Sequence, residues 1–143
     1  YGHSLGGAVA IDLAARRECG GLIVESSFTN TGDMARRMFH VPFIEHLPRS
    51  RFDSLAKIAR VCAPVLVIHG TRDPVVPFSM GQRLFDAAPE PKSFLPVEGG
   101  EHDSIFTSGG EKYWDRLQAF VNRPPATPPL SEAPAHSHQN EIR

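Results

Sequence analysis

Tyr1-Gly2-His3-Ser4-Leu5-Gly6-Gly7 opens the chain, with the spacing Gly-X-Ser-X-Gly directly before a run of Ala, Val, Ile and Leu. The pentapeptide alone is common by chance, so its context carries the weight. A serine held on a sharp strand-to-helix turn must adopt strained backbone angles, and side chains two residues to either side would collide. Gly2 and Gly6 are read as relieving that crowding and pushing Ser4 into the open. The backbone N–H of Leu5, beside the positive end of the helix it begins, is placed to donate to an oxyanion.

Working outward, the chain alternates. Leu5 to Arg17 reads as a helix buried on most sides, interrupted only by Asp12, with Arg16 and Arg17 at its negative end and Gly20 as its stop. Leu22-Ile23-Val24 and Pro64-Val65-Leu66-Val67-Ile68 are short continuous apolar runs, the form of parallel strands covered on both faces. Pro77 to Ala88 predicts a helix with Met80, Leu84, Phe85 and Ala88 on one side, and Ser93 to Val97 a further strand. The last helix is expected over about Glu111 to Asn122, with Tyr113, Trp114, Leu117, Phe120 and Val121 on one face. This order implies an α/β parallel sheet joined by right-handed crossovers.

A serine needs a base to become nucleophilic near neutral pH, and the base needs an orienting carboxylate. Asp73 stands in the turn after the strongest strand, in His69-Gly70-Thr71-Arg72-Asp73-Pro74-Val75-Val76-Pro77. His102 stands in the loop after the last strand, in Glu98-Gly99-Gly100-Glu101-His102-Asp103. Ligand-binding and catalytic groups of open α/β sheets gather at the carboxyl ends of strands, so Ser4, Asp73 and His102 are expected to converge. Glu25, at the end of the preceding strand, competes with Asp73 for the acid role. Glu98, Glu101 and Asp103 read as solvated loop charge, His69 as a structural strand end, and His3 as a pocket-lining position.

These blocks, with Ile23-Val24-Glu25-Ser26-Ser27-Phe28, resemble the serine α/β-hydrolase superfamily, nearest its monoacylglycerol-lipase-like, serine-aminopeptidase-like and acyl-protein-thioesterase-like branch. The resemblance spans residues 1 to about 122. It implies an α/β-hydrolase fold, a parallel sheet with flanking helices whose N-terminal strands would precede Tyr1, together with the loop supplying a second oxyanion donor. It further implies Ser4 as nucleophile, His102 as general base then acid, Asp73 as orienting acid and Leu5 as one oxyanion donor, acting on a small-molecule acyl ester or thioester. No metal or organic cofactor is implied. The stretch 29–62, with Met34, Met38, Phe39, Val41, Phe43, Ile44, Leu47 and Phe52, would form a short cap over the pocket. An acyltransferase or peptidase of the same fold, or a non-catalytic binding module, are the rival readings, because fold alone does not dictate function.

Composition bounds the rest. Lys and Arg number 15 against 16 Asp and Glu, a net charge of -1, which removes the basic excess that nucleic-acid binding needs. The apolar runs are far shorter than the roughly 20 residues of a membrane helix. Cys19 and Cys62 are expected to be reduced, buried thiols. The chain lacks an initiating Met and opens inside a motif that belongs mid-domain, so it reads as a fragment whose isolated form would be unstable and inactive. The expectation is a cytoplasmic protein, with a membrane anchor upstream left open. Residues 1–123 form one unit. Residues 124–143 hold five of the 13 prolines and should be a disordered tail, in which His136 and His138 read as solvated polar residues.

Overall fold

Among the described residues, four parallel strands stand side by side in chain order: β1 (Gly2–His3), β2 (Leu22–Glu25), β3 (Val65–Gly70) and β4 (Lys92–Val97). The computed structural model describes residues 1–39 and 52–124, so the tail and the middle of the expected cap, with Val41, Phe43, Ile44 and Leu47, lie outside the described residues. Among the described residues, five helices connect or follow the strands: α1 (Leu5–Ala14), α2 (Thr31–Phe39), α3 (Ser54–Ile58), α4 (Phe78–Ala87) and α5 (Ile105–Val121).

The continuous apolar runs have a physical reason. Successive side chains of a strand point to opposite faces, and both faces here are covered. Leu22, Val24, Val65 and Val67 pack with Ile11 of α1, Ile58 of α3 and Leu84 of α4. Ile23, Leu66, Ile68, Leu95 and Val97 pack on the other side with Ile105 and Tyr113 of α5. The register pairs Leu22 with Val65 and Val24 with Val67, so equivalent residues stack laterally. Each fully buried Val, Leu or Ile contributes about 1.5–3 kcal/mol, and Leu66, Ile68, Ile58 and Ile11 are all at 0% exposure.

Three expectations need correction. The α1 helix is buried on one side only: Gly7, Ala8, Ile11 and Ala14 face inward, while Leu5, Val9 and Leu13 are more than half exposed. Those three recur every fourth residue, a second apolar stripe that nothing among the described residues covers. Cys19 and Cys62 are exposed free thiols, since they occupy the turns after α1 and α3 rather than the inward helix faces. Helix α5 begins at Ile105, six residues earlier than expected. Ser108-Gly109-Gly110 signals a break, and one is present, but helical turns continue on both sides of a kink at Gly110 (φ 52°, ψ -142°). Its inward face is Tyr113, Leu117 and Phe120, with Trp114 and Val121 turned to solvent.

Candidate active site

Because every strand runs the same way, each hands its following loop to the same edge of the sheet. Ser4 follows β1, Asp73 follows β3 by three residues, and His102 follows β4 by five. The serine is fixed first. Its backbone lies at φ 53°, ψ -121°, a left-handed region in which residues other than glycine are strained at a cost of about 1–3 kcal/mol. Neighbours hold it there. Ser4 donates its N–H to the Glu25 carbonyl (2.9 Å), and its own carbonyl accepts from Ser27 Oγ (2.8 Å) and from the Gly7 N–H (3.0 Å).

The glycines divide unevenly. A Cβ at Gly2 would stand 2.3 Å from the Gly6 carbonyl oxygen, and one at Gly7 would stand 2.6 Å from the Ser27 side chain. At Gly6 a Cβ would meet nothing within 4 Å among the described residues. The expected crowding therefore acts at Gly2, with Gly7 as the second close approach instead of Gly6.

Ser4 occupies the N-cap position of α1 but makes no side-chain capping bond. Its hydroxyl instead lies 3.0 Å from His102 Nε2, and His102 Nδ1 lies 2.8 Å from Asp73 Oδ2. The three groups are thus hydrogen-bonded in series. Asp73 and His102 are 8% and 9% exposed, dry enough that each hydrogen bond counts for more than it would in water. The other carboxylate oxygen, Asp73 Oδ1, accepts the N–H groups of Val75 (2.9 Å) and Val76 (2.8 Å). Leu5 is the first residue of α1, so its N–H has no acceptor within the helix and points from the positive end.

Glu25, the rival acid, is also buried, at 4% exposure, but it serves another partner: Tyr113 donates its hydroxyl to Glu25 Oε2 (2.8 Å). Burial, then the neighbouring Glu25, push the Tyr113 phenol upward, and the same causes bring Tyr1 to about 12. Both phenols stay protonated donors. Glu98, Glu101 and Asp103 are exposed, as expected of loop charge.

His3 does more than line a wall. Its Nε2 donates to the carbonyl of His102 (3.0 Å), and the two rings stand 4.9 Å apart, fastening the end of β1 to the loop after β4. His3, His102 and Asp103 also place ligand-type atoms within 4.8 Å of one another. Yet both ring nitrogens of His102 are engaged by Ser4 and Asp73, and His3 Nε2 by a carbonyl, so a metal would have to break these bonds. The sequence placed His3 as a pocket-lining position and Tyr113 on one face of the last helix, and assigned Ser27 no role. A local pattern does not reveal hydrogen bonds across 23 to 99 residues.

Ala8, Phe28, Val76 and Met80, with Met34 and Phe52 against them, form an apolar cluster beside these residues: Val76 donates to Asp73, and Phe28 follows the Ser27 that holds Ser4. A groove of about 680 Å³ between β4 and α5 is lined by Phe94, Pro96 and Lys112 among others, and by none of Ser4, Asp73 and His102.

No family model matches the chain. Curated relatives do. The chain is 36% identical over 126 residues to human alpha/beta hydrolase domain-containing protein 17B, covering 86% of this chain and 41% of that protein. It is equally identical, over 123 residues, to an uncharacterized protein of Mycobacterium tuberculosis, covering 85% of this chain and 43% of that protein. The chain thus spans about two fifths of the length of these relatives. Among solved structures, the monoacylglycerol lipase of Paleococcus ferrophilus superposes with a TM-score of 0.62 at 19% identity, over 84% of this chain and 66% of that one. At that identity the likeness speaks for the fold alone.

Proposed function

We propose that the chain, which is similar to alpha/beta hydrolase domain-containing protein 17B over 86% of its own length, carries the reacting groups of a serine hydrolase that cleaves a carboxylic ester or thioester through an acyl-enzyme on Ser4. The observation that supports this best is the unbroken series Ser4 Oγ, His102 Nε2, His102 Nδ1, Asp73 Oδ2, at 3.0 and 2.8 Å, on a serine held at φ 53°.

In this reading, as Ser4 Oγ attacks the acyl carbon, His102 Nε2 takes its proton. Asp73 holds the Nδ1–H and stabilises the resulting imidazolium without itself taking the proton. Charge develops on the former carbonyl oxygen, where the Leu5 N–H donates. The imidazolium then returns its proton to the departing alkoxide or thiolate, leaving the acyl group on Ser4. Water, deprotonated by the same nitrogen, attacks the ester, and the acid leaves as Ser4 regains its proton. The apolar cluster of Phe28, Val76 and Met80 favours an acyl chain over a charged substrate on that side.

The test is covalent labelling of the whole protein with a fluorophosphonate, followed by a panel of ester, thioester and amide substrates. Ser4-dependent labelling is the expected result, and labelling that survives Ser4→Ala would sink the reading. Asp73→Asn should lower kcat by about 10³- to 10⁴-fold, because the imidazole loses its preferred tautomer. Glu25→Gln should change kcat by less than about threefold, since its carboxylate faces Tyr113 rather than His102. The opposite pattern would move the acid role to Glu25.

A further inference from the structure

His69 is the least expected polar group in the core. It is at 0% exposure near the end of β3, with no partner for Nδ1 among the described residues. An apolar side chain would fill the same space without stranding a nitrogen, so the imidazole must supply something that only a polar ring can.

Its tautomer follows from its neighbours. Nε2 lies 3.0 Å from the Val76 carbonyl oxygen, which can only accept, so Nε2 carries a hydrogen. Burial outweighs every other influence and holds the ring neutral, which leaves Nδ1 as a bare lone pair. That lone pair faces α4 where the helix has no side chain: a Cβ at Gly81 would stand 2.3 Å from it. Phe78 of the same helix meets the ring edge-on at 6.0 Å. The charged or titratable groups acting on the ring are Asp73, His102 and His3.

The same Nε2 lies 3.5 Å from Asp73 Oδ2, the oxygen that binds His102. His69 therefore touches the orienting carboxylate from two sides. Through Val76 it pins the turn whose two N–H groups hold Oδ1, and directly it presents an N–H edge to Oδ2. A neutral N–H steers that oxygen without cancelling its charge, whereas a cation there would weaken the support that Asp73 gives to an imidazolium.

We propose that His69 is a positioning residue for Asp73: its Nε2–H, bonded to the Val76 carbonyl and standing 3.5 Å from the Asp73 carboxylate, keeps Oδ2 aimed at His102. The proposal rests on the reading of Ser4, His102 and Asp73 as the reacting series.

The experiment compares wild type, Ser4→Ala, His69→Phe and His69→Gln in the whole protein. It reads the rate of fluorophosphonate labelling against pH and the downfield proton resonance of the His102 Nδ1–H. His69→Phe, which keeps the volume and removes the donor, should slow labelling by about 10- to 100-fold, lower the pH midpoint of the rate profile because the imidazolium loses support from Asp73, and shift or broaden the resonance. His69→Gln, whose amide nitrogen reaches to about the same point, should stay within about threefold of wild type. Ser4-dependent labelling with a His69→Phe rate, midpoint and resonance like wild type would overturn the proposal and leave the hydrolase reading intact. So would equal losses in the Phe and Gln variants at equal stability. Labelling retained in Ser4→Ala would instead remove the premise. Should His69→Phe not fold, nitrogen NMR of the wild-type imidazole decides: a neutral ring with hydrogen on Nε2 supports the proposal, and hydrogen on Nδ1 refutes it.

Discussion

At residue scale, the strain at Ser4 is sustained by a glycine that could not be anything larger. Gly2→Ala would drive a methyl to 2.3 Å from the Gly6 carbonyl and 2.8 Å from the Ala10 side chain. Backbone cannot step aside as a flexible side chain can, so a loss of about 1–3 kcal/mol is expected, measured as a lower denaturation midpoint at unchanged m-value. Gly7→Ala meets the Ser27 side chain at 2.6 Å and backbone only at 3.2 Å, the Gly2 carbonyl oxygen, so it should cost less stability while releasing the hold of Ser27 on the Ser4 carbonyl. His69 gives a pH dependence of definite sign. Its folded pKa lies below the ordinary 6.5 because burial penalises the charged ring, so below that pH the unfolded chain binds more protons than the folded one. Stability from this group is complete above pH 6.5 and declines as pH falls from there. Urea midpoints at about pH 7.5 and about pH 5.5 should differ by less in His69→Gln than in wild type.

At the scale of elements, the strands were the most legible part of the sequence and the helix faces the least. Val65 to Ile68 fits a strand covered on both sides, and its partners Leu22 to Val24 and Ser93 to Val97 carry enough of the same character to be found. The α1 helix misled because a run of Ala, Val, Ile and Leu says that burial is possible, not that a partner is present. The α5 helix misled at its start for the opposite reason. Ser108-Gly109-Gly110 spells an interruption, yet a left-handed glycine can kink a helix and let it continue. Gly110 sits at φ 52°, and a Cβ there would meet nothing within 4 Å among the described residues, so Gly110→Ala isolates the backbone cost. A loss of about 1 kcal/mol is expected in thermal unfolding. At the site, the types and order of Ser4, Asp73 and His102 were readable, because each follows a recognisable strand with turn residues around it. What holds them was not: the bonds from His3 to His102, Ser27 to Ser4 and Tyr113 to Glu25 depend on the closing of the sheet.

For the whole molecule, the uncovered stripe of Leu5, Val9 and Leu13 adjoins a groove of about 370 Å³ that runs past Tyr1 to Leu22, and β1, only two residues long, forms the sheet edge beside it. Contiguous exposed apolar surface next to a strand edge drives association. The 143-residue chain by itself should therefore self-associate in sedimentation experiments, and Val9→Glu with Leu13→Lys should shift it toward the monomer without altering the packing of Ile11 on the opposite side. Unchanged association in the double variant would place the adhesive surface elsewhere. The 98 residues that separate the hydroxyl at position 4 from the imidazole at position 102 have a further consequence, one of timing. A ribosome making this protein releases the serine early and the imidazole last of the three groups, so the emerging polypeptide carries an inert alcohol until the fourth strand docks. On the function proposed above, the serine would gain its base only when β4 is in place and the loop after it brings the imidazole within 3.0 Å.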